Sequence, residues 1–290
     1  MYIIQQIINI LQLGSIYALI ALGYTMVYGV LRFINFAHGD LFMVGAFVAF
    51  IVATYLKLSF IPTLLISMVV VSMLGVTIER LAYKPLRQAP RVSAVITALG
   101  VGIFLENFVL LFYPYPQNVP ILLPKIIWNT GGVTISFLQV LIIGLSLLLM
   151  LILDLIVRRT MVGMAMRAIS WNKIVVPLMG VPLDMIISIT FALGTGLGAV
   201  AGVMYSQAFP VIDPYLGILI GWQAFICAVV GGIGNIRGAM LGGYILAAVQ
   251  IIVVSFLPST YRDFIAFTLL LIMLIFRPYG IFGKPETEKV

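Results

Sequence analysis

The sequence predicts an all-α polytopic membrane protein of about eight or nine transmembrane helices, some short or broken, with a cytoplasmic coupling helix between two of them. Three observations predict this. The 290 residues are 63% hydrophobic and only 9% charged, whereas soluble domains carry about 25% charged residues. So few charges cannot cover a water-exposed surface, and lipid is the solvent for most of the chain. The apolar residues gather in runs close to the roughly 20 residues that cross a bilayer core as a helix. The basic residues between the runs fall mainly on one side when successive runs alternate in direction.

The runs lie at approximately 7–31, 41–56, 60–82, 94–113, 137–157, 185–207, 217–231, 239–257 and 264–277. The first has no basic segment before it and no small-residue cleavage site after it, so it is a retained span and not a signal peptide. The seventh and ninth are short, and each is either re-entrant or upright. With nine spans, 13 of the 16 basic residues lie inside, including Arg32, Lys84, Arg158, Lys173, Arg237, Lys284 and Lys289, and only Lys57, Lys125 and Arg262 lie outside. A seventh run that failed to cross would invert every later element, so the charge bias favours nine spans, an outside N-terminus and an inside C-terminus.

The chain is expected to be one transmembrane domain, with an external loop at 114–136, a cytoplasmic loop at 158–184 and a cytoplasmic tail at 278–290. Pro114, Pro116, Pro120 and Pro124 forbid a continuous helix in the external loop, and its apolar content suits packing on the outer face. The net charge of +7 reflects cytoplasmic loops and gives no reason to invoke nucleic acid. A single cysteine, Cys227, and a single histidine, His38, exclude an internal disulfide and a multi-histidine metal centre. Gly-Lys-Ser and Gly-Lys-Thr are absent, as are GxSxG and HExxH. The chain is therefore not expected to be an enzyme, and energy-converting chemistry is expected on another chain.

Four motifs stand out. In NFAHGDLFMVGAF, Asn35, His38 and Gly39 suit a tight turn before a helix, or a gate, and Asp40 falls near a helix N-terminus where its charge is favoured. GGIGNIRGAMLGGY, with Gly232, Gly234 and Gly238, is a helix break or a close helix crossing. In FALGTGLGAVAGVMYSQ, Gly194, Gly198 and Gly202 mark one helix face, smooth enough for close packing or for a solute path. Glu106 and Asn107 lie in the middle of an apolar run, where a carboxylate needs an interior partner or a cavity. With Gln12, Tyr17 and Tyr24 on the first run, and with Gly194 and Gly198, they form the candidate substrate path.

The loop at 158–184 is the largest basic segment between spans. Gly163 to Ser170 suit a short helix with Arg167 at its C-terminal end. Ser170 suits the N-cap of a second helix from Trp171, limited by Pro177 and stopped by Gly180 and Pro182. Trp171 with the apolar Ile174, Val175 and Leu178 would then form a knob that docks on a partner, with Asn172 in the same coupling segment; the alternative is a helix resting on lipid headgroups.

Three stretches, QLGSIYALIALGYTMVYGVLRFINFAHGDLFMVGAF, GMAMRAISWNKIVVPLMGVPLD and GGIGNIRGAMLGGYILA, resemble the LivH-type permease subunits of bacterial branched-chain amino-acid ABC importers. The likeness extends over nearly the whole chain. It implies a location in a bacterial or archaeal cytoplasmic membrane and a second related permease subunit. It also implies two cytoplasmic ATPase subunits that carry the ATP and magnesium, none being held by this chain, and an external binding protein that delivers leucine, isoleucine or valine. It further implies that 170–180 is the coupling loop seated on the ATPase. A permease for a sugar, nucleoside, urea or amide shares this mechanism. A self-sufficient channel or secondary transporter is the rival class, and it leaves 158–184 without a task.

Overall fold

The computed structural model describes residues 2–283; Lys284, Lys289 and the rest of the tail beyond them lie outside the described residues. Ten α-helices occur among these residues: α1 (Tyr2–Leu31), α2 (His38–Ile51), α3 (Phe60–Ile78), α4 (Arg91–Phe112), α5 (Phe137–Arg159), α6 (Met161–Trp171), α7 (Leu183–Ala208), α8 (Leu216–Gly231), α9 (Ile236–Phe256) and α10 (Tyr261–Phe276). Short strands β1 (Gln117–Asn118) and β4 (Val211–Ile212) pair antiparallel, as do β2 (Ile127–Thr130) and β3 (Val133–Ser136).

The two ends of the bundle are fixed by α1. At its start, Gln5 Oε1 accepts from the Thr134 backbone N–H on β3 at 2.9 Å. At its finish, Arg32 Nε donates to the Ser170 carbonyl at 3.1 Å and Lys173 Nζ to the Leu31 carbonyl at 2.6 Å. The 114–136 loop and the 158–184 loop are thus at opposite ends of the bundle. Seven helical segments are long and apolar enough to cross a membrane. The other two, α8 and α10, have 16 residues each, about 24 Å of helix against a core of about 30 Å. Both join the hairpin end to the α6 end, so among the described residues nine helices run between the two ends and α6 lies apart at one of them.

Lipid supplies no hydrophobic drive between helices, so close packing at small residues holds the bundle together. The central helices are α1, α2 and α7. From Leu13 to Val27 every residue of α1 is buried, and α7 is buried over most of its length. Gly23 of α1 meets the Gly194 carbonyl and the His38 ring, Gly45 of α2 meets Ala199 of α7, and Gly202 of α7 meets the Phe42 carbonyl. In contrast, α3, α4 and α5 turn Met73, Phe104, Phe108, Leu147 and Leu151 outward, as a lipid-facing layer does.

Local chemistry sets the ends. Arg32 (φ 57°) and Lys57 (φ 50°) leave the helical conformation after α1 and after the wide turn Val52–Leu56 that extends α2. Each puts a cation at a helix C-terminus. The prolines keep the external loop from helix formation, and Gly131 (φ 57°) and Gly132 (φ 81°) turn part of it into the β2–β3 hairpin, a use of consecutive positive-φ residues that the sequence reading did not include. Ser136 and Gln139 form a reciprocal capping box that starts α5.

One local expectation is corrected. Ser170 does not cap a second helix; it lies within the last turn of α6, and its hydroxyl donates to the Arg167 carbonyl at 2.7 Å. The better caps are elsewhere. Thr160 Oγ1 accepts from Gly163 N–H at 3.1 Å and starts α6. Asn172 Oδ1 accepts from the N–H groups of Ile174 and Val175 at 2.9 and 3.1 Å and starts the short 3₁₀ turn Val176–Met179.

Candidate functional site

The predicted path residues separate into three places. In the half of the bundle nearer the β2–β3 hairpin, Tyr17 donates its hydroxyl to Gln250 Oε1 at 2.9 Å. Arg262 of α10 reaches both, with Nε to Gln250 Oε1 at 3.0 Å and Nη2 to the Tyr17 hydroxyl at 2.6 Å. The triangle sits at one wall of a cavity of about 400 Å³ that Gln12 also lines, together with Gln6 and Asn9 of α1. Tyr17 and Gln12 are thus brought to one site.

Glu106 of α4 is buried, and it shares a cavity with Asp40 of α2. Both carboxyls line this cavity of about 190 Å³ together with Phe36, Leu99, Ile103 and Trp222, the last three of which are exposed at the surface of the bundle. Asp40 fits because Gly102 of α4 and Gly217 of α8 lack side chains; a Cβ on Gly217 would lie 2.8 Å from the Asp40 Cα. Asn107 is not part of this cluster. It is exposed, and its amide donates to the Ile103 carbonyl of its own helix at 2.7 Å.

Tyr24 stands edge-on to His38, with ring centroids 5.8 Å apart, and touches Phe225 at 6.0 Å. Phe225 in turn meets Phe36 and Trp222, so an aromatic chain links Tyr24 to the carboxyl cavity. Gly194 and Gly198 face Gly23 of α1 and the His38 ring across closed helix contacts. Gly39 packs on the backbone of Gly221 in α8.

The α6 end carries the third group. Asn35 Oδ1 accepts from the Tyr83 hydroxyl at 2.7 Å, so Asn35 ties the α1–α2 turn to the end of α3. Arg87 pairs with both the buried Glu79 and the exposed Asp184, and Lys84 meets Asp184 at 2.6 Å. Asp154 is shared by Arg158 at 2.8 Å and Arg237 at 3.1 Å. Arg167 donates to the Val157 carbonyl and holds α6 against the end of α5. Beyond these anchors, Trp171, Ile174, Leu178 and Met179 are 74–84% exposed on one loop. Gly180 closes the loop at φ 80°. Among the described residues no three of His, Cys, Asp and Glu gather as a metal site.

The glycine run forms a turn and a crossing together. Gly232 (φ 108°) and Gly234 (φ 89°) reverse the chain after α8, and Asn235 caps α9 by accepting from Gly238 N–H at 3.1 Å. Gly231 and Gly238 then bring α8 and α9 into backbone contact. The break is at a helix end and not in the middle of a span.

Sequence reasoning missed three participants, Arg262, Gln250 and Asp40, and placed Arg262 only as an outside cation. Gln250 sits as a lone amide in the apolar run ILAAVQIIVV, which is the signal that marks it. Asp40 was read as a residue of a helix start, although it shares with Glu106 the property of being an acid within an apolar span.

The chain matches the family model described as branched-chain amino acid transport system / permease component over residues 6–274. It is 42% identical to the high-affinity branched-chain amino acid transport system permease protein BraD of Pseudomonas aeruginosa, covering 99% of this chain and 98% of that one. It is 40% identical to LivH of Escherichia coli, described in the same words, over 100% and 98% of the two chains. Among solved structures it resembles PsaBC of Streptococcus pneumoniae in complex with Fab, with a TM-score of 0.51 at 14% identity, covering 94% of this chain and 92% of that one.

Proposed function

This chain belongs to the branched-chain amino acid transport system permease family, and from that premise we propose how its parts divide the work of an ATP-driven importer. It is a multi-pass membrane permease component, and it is not the catalytic part of its transport system. In our reading it occupies a bacterial or archaeal cytoplasmic membrane as one permease domain beside a second, related permease subunit. Two ATPase subunits dock on the inner face and hold ATP and magnesium. A binding protein delivers leucine, isoleucine or valine to the outer face.

The observation that carries the docking assignment is the cluster Trp171, Ile174, Leu178 and Met179, left 74–84% exposed at the inner end. Apolar side chains this exposed on a loop outside the spans suit burial in a protein groove. The loop is not loose: Arg32 and Lys173 join it to the end of α1, and Arg167 joins it to α5. A push on the knob is therefore delivered to α1, one of the central buried helices of the bundle. Closure of the ATPase pair on ATP favours the outward-open arrangement through this linkage, and hydrolysis resets it.

The substrate path in this reading runs from the Gln12–Tyr17 cavity past Tyr24 towards the carboxyl pair at Glu106. Asn35, His38 and Gly39 act at its inner gate, and the turn at Gly232, Gly234 and Gly238 supports that gate. Gly194 and Gly198 contribute by allowing α7 to approach α1 and α2, and Asn107 has no contact with the rest of the path.

The test is purification of this chain with its native partners, followed by reconstitution into liposomes. ATP-dependent leucine uptake that requires the binding protein supports the importer. Leucine transport by this chain alone would assign it to the channel or secondary-transporter class.

A further inference from the structure

We propose that Arg262 and Gln250, braced by Tyr17, form an outer recognition site for the α-carboxylate of an aliphatic amino acid. The proposal rests on reading the chain as an amino-acid permease and names the contact by which it would recognise its substrate.

The argument is one of unspent hydrogen-bond donors. Gln250 is 1% exposed. Its Oε1 receives two bonds, from Tyr17 and from Arg262 Nε. Two donors on one atom fix that atom as the oxygen, so the amide nitrogen is the group left over. That Nε2 is buried with no partner, a costly state for an amide in an apolar setting. The Tyr17 hydroxyl gives its proton to Gln250 and accepts from Arg262 Nη2. What remains is Gln250 Nε2 and Arg262 Nη1, donors both. Among the described residues Arg262 has no acidic partner; its neighbour Asp263 is engaged by Gln223 at 3.4 Å.

Among the described residues the cavity has no Asp or Glu in its lining, so a guanidinium with a donor to spare at its wall, backed by the buried Gln250 amide, selects a planar anion. The remaining walls select the rest of the ligand. The cavity of about 400 Å³ opens beside this wall, and Leu13, Ile16, Ile251 and Val254 supply apolar surface for a branched side chain. Gln12 lines the same space from α1 and has a side-chain carbonyl suited to the ammonium group. The site lies at the end of the bundle that carries the external hairpin, where a delivered solute first meets the permease.

The experiment uses the complete transporter purified in detergent, without the binding protein, and follows its thermal unfolding with four probes: L-leucine, leucinol, leucinamide and 4-methylpentanoate. Protection by leucine and 4-methylpentanoate, with leucinol and leucinamide about tenfold or more weaker, is expected from loss of a charge-assisted contact. Arg262→Gln is expected to erase that discrimination and Arg262→Lys to retain part of it. Equal protection by leucine and leucinol, or discrimination unchanged in Arg262→Gln, overturns the proposal. A lower melting temperature in Arg262→Gln with the leucine-to-leucinol ratio intact would assign Arg262 to bracing α10 and also overturn it. Weakened docking of the binding protein with leucine protection intact would give the carboxylate to that protein instead, again against the proposal. Leucine uptake by the wild-type complex with its binding protein, run in parallel, separates the two readings. Uptake without discrimination rejects this site alone, and no uptake rejects the amino-acid assignment with it.

Discussion

Asp40 on α2 and Glu106 on α4 share a cavity with Phe36, Leu99, Ile103 and Trp222. The two carboxyls are polar neighbours in a mostly apolar cavity, so replacing either changes the surroundings of the other. Glu106→Ala is expected to lower stability by about 1–3 kcal/mol, and Glu106→Gln, which keeps a hydrogen-bonding group, by less. Thermal unfolding of the purified complex measures both. Glu106→Gln is also expected to reduce leucine uptake; wild-type uptake would confine the pair to a structural role.

The room for Asp40 comes from a neighbour on a third helix. A Cβ on Gly217 would fall 2.8 Å from the Asp40 Cα and 3.0 Å from its N, and backbone cannot rotate out of the way. Gly217→Val is expected to cost about 1–3 kcal/mol through overpacking and not to be rescued by trimming Asp40. Gly100 is the control. Nothing lies within 4 Å of a Cβ there, and Gly100→Ala is expected to be neutral or to stabilise α4 by about 0.5–1 kcal/mol.

At the inner end Arg87 and Lys84 share Asp184 but are unequal. Arg87 also neutralises Glu79, which is 1% exposed, whereas Lys84 and Asp184 are half open to solvent. Arg87→Ala leaves the buried Glu79 carboxylate with the Ser188 hydroxyl but no cation, and is expected to cost about 3–5 kcal/mol. Lys84→Ala is expected to cost no more than about 1 kcal/mol. Similar losses from the two substitutions in unfolding experiments would sink this ranking.

Leu178, 84% exposed, makes the docking role accessible to a single change. Leu178→Asp is expected to stop co-purification of the ATPase subunits while leaving the melting temperature of the permease within about 1 °C of wild type, since exposed sites contribute little to stability. Full co-purification with Leu178→Asp removes the knob from the coupling assignment.

Gly180 closes the same loop at φ 80° with open space around it. Any penalty for a side chain there is therefore backbone strain and not a clash. Gly180→Val is expected to impair ATP-driven uptake more than Gly180→Asn, because Asn tolerates the left-handed region. Equal uptake by both variants would show that the loop's shape is indifferent to this residue.

The nine runs were legible because a bilayer sets both length and composition, and each run met those conditions over many residues. Even the 16-residue α8 and α10 were visible, since the placement of Arg277 and Arg237 required them. The hairpin at 127–136 and the caps by Thr160 and Asn172 were less legible. Several residues nearby, Ser170 among them, had the chemistry of a cap, and only the path of the backbone selects one. The site was legible in its polar members on α1 and at Glu106, where a polar group interrupts an apolar run. Their partners were not, because Asp40 lies 66 positions before Glu106 and Arg262 lies 245 after Tyr17, and nothing local joins them.

The turn between α8 and α9 is finished by residues far downstream. The N–H groups of Ile281 and Phe282 donate to the carbonyls of Val230 and Gly231 at 3.0 and 3.1 Å, and Asn235 Nδ2 donates to the Phe282 carbonyl at 2.9 Å. During synthesis these donors leave the ribosome only after every span has been made. Until then the C-terminal carbonyls of α8 must be served by water or by the insertion machinery. The inner face is thus latched last, and a chain that has placed α10 in the wrong direction has no means of closing the latch.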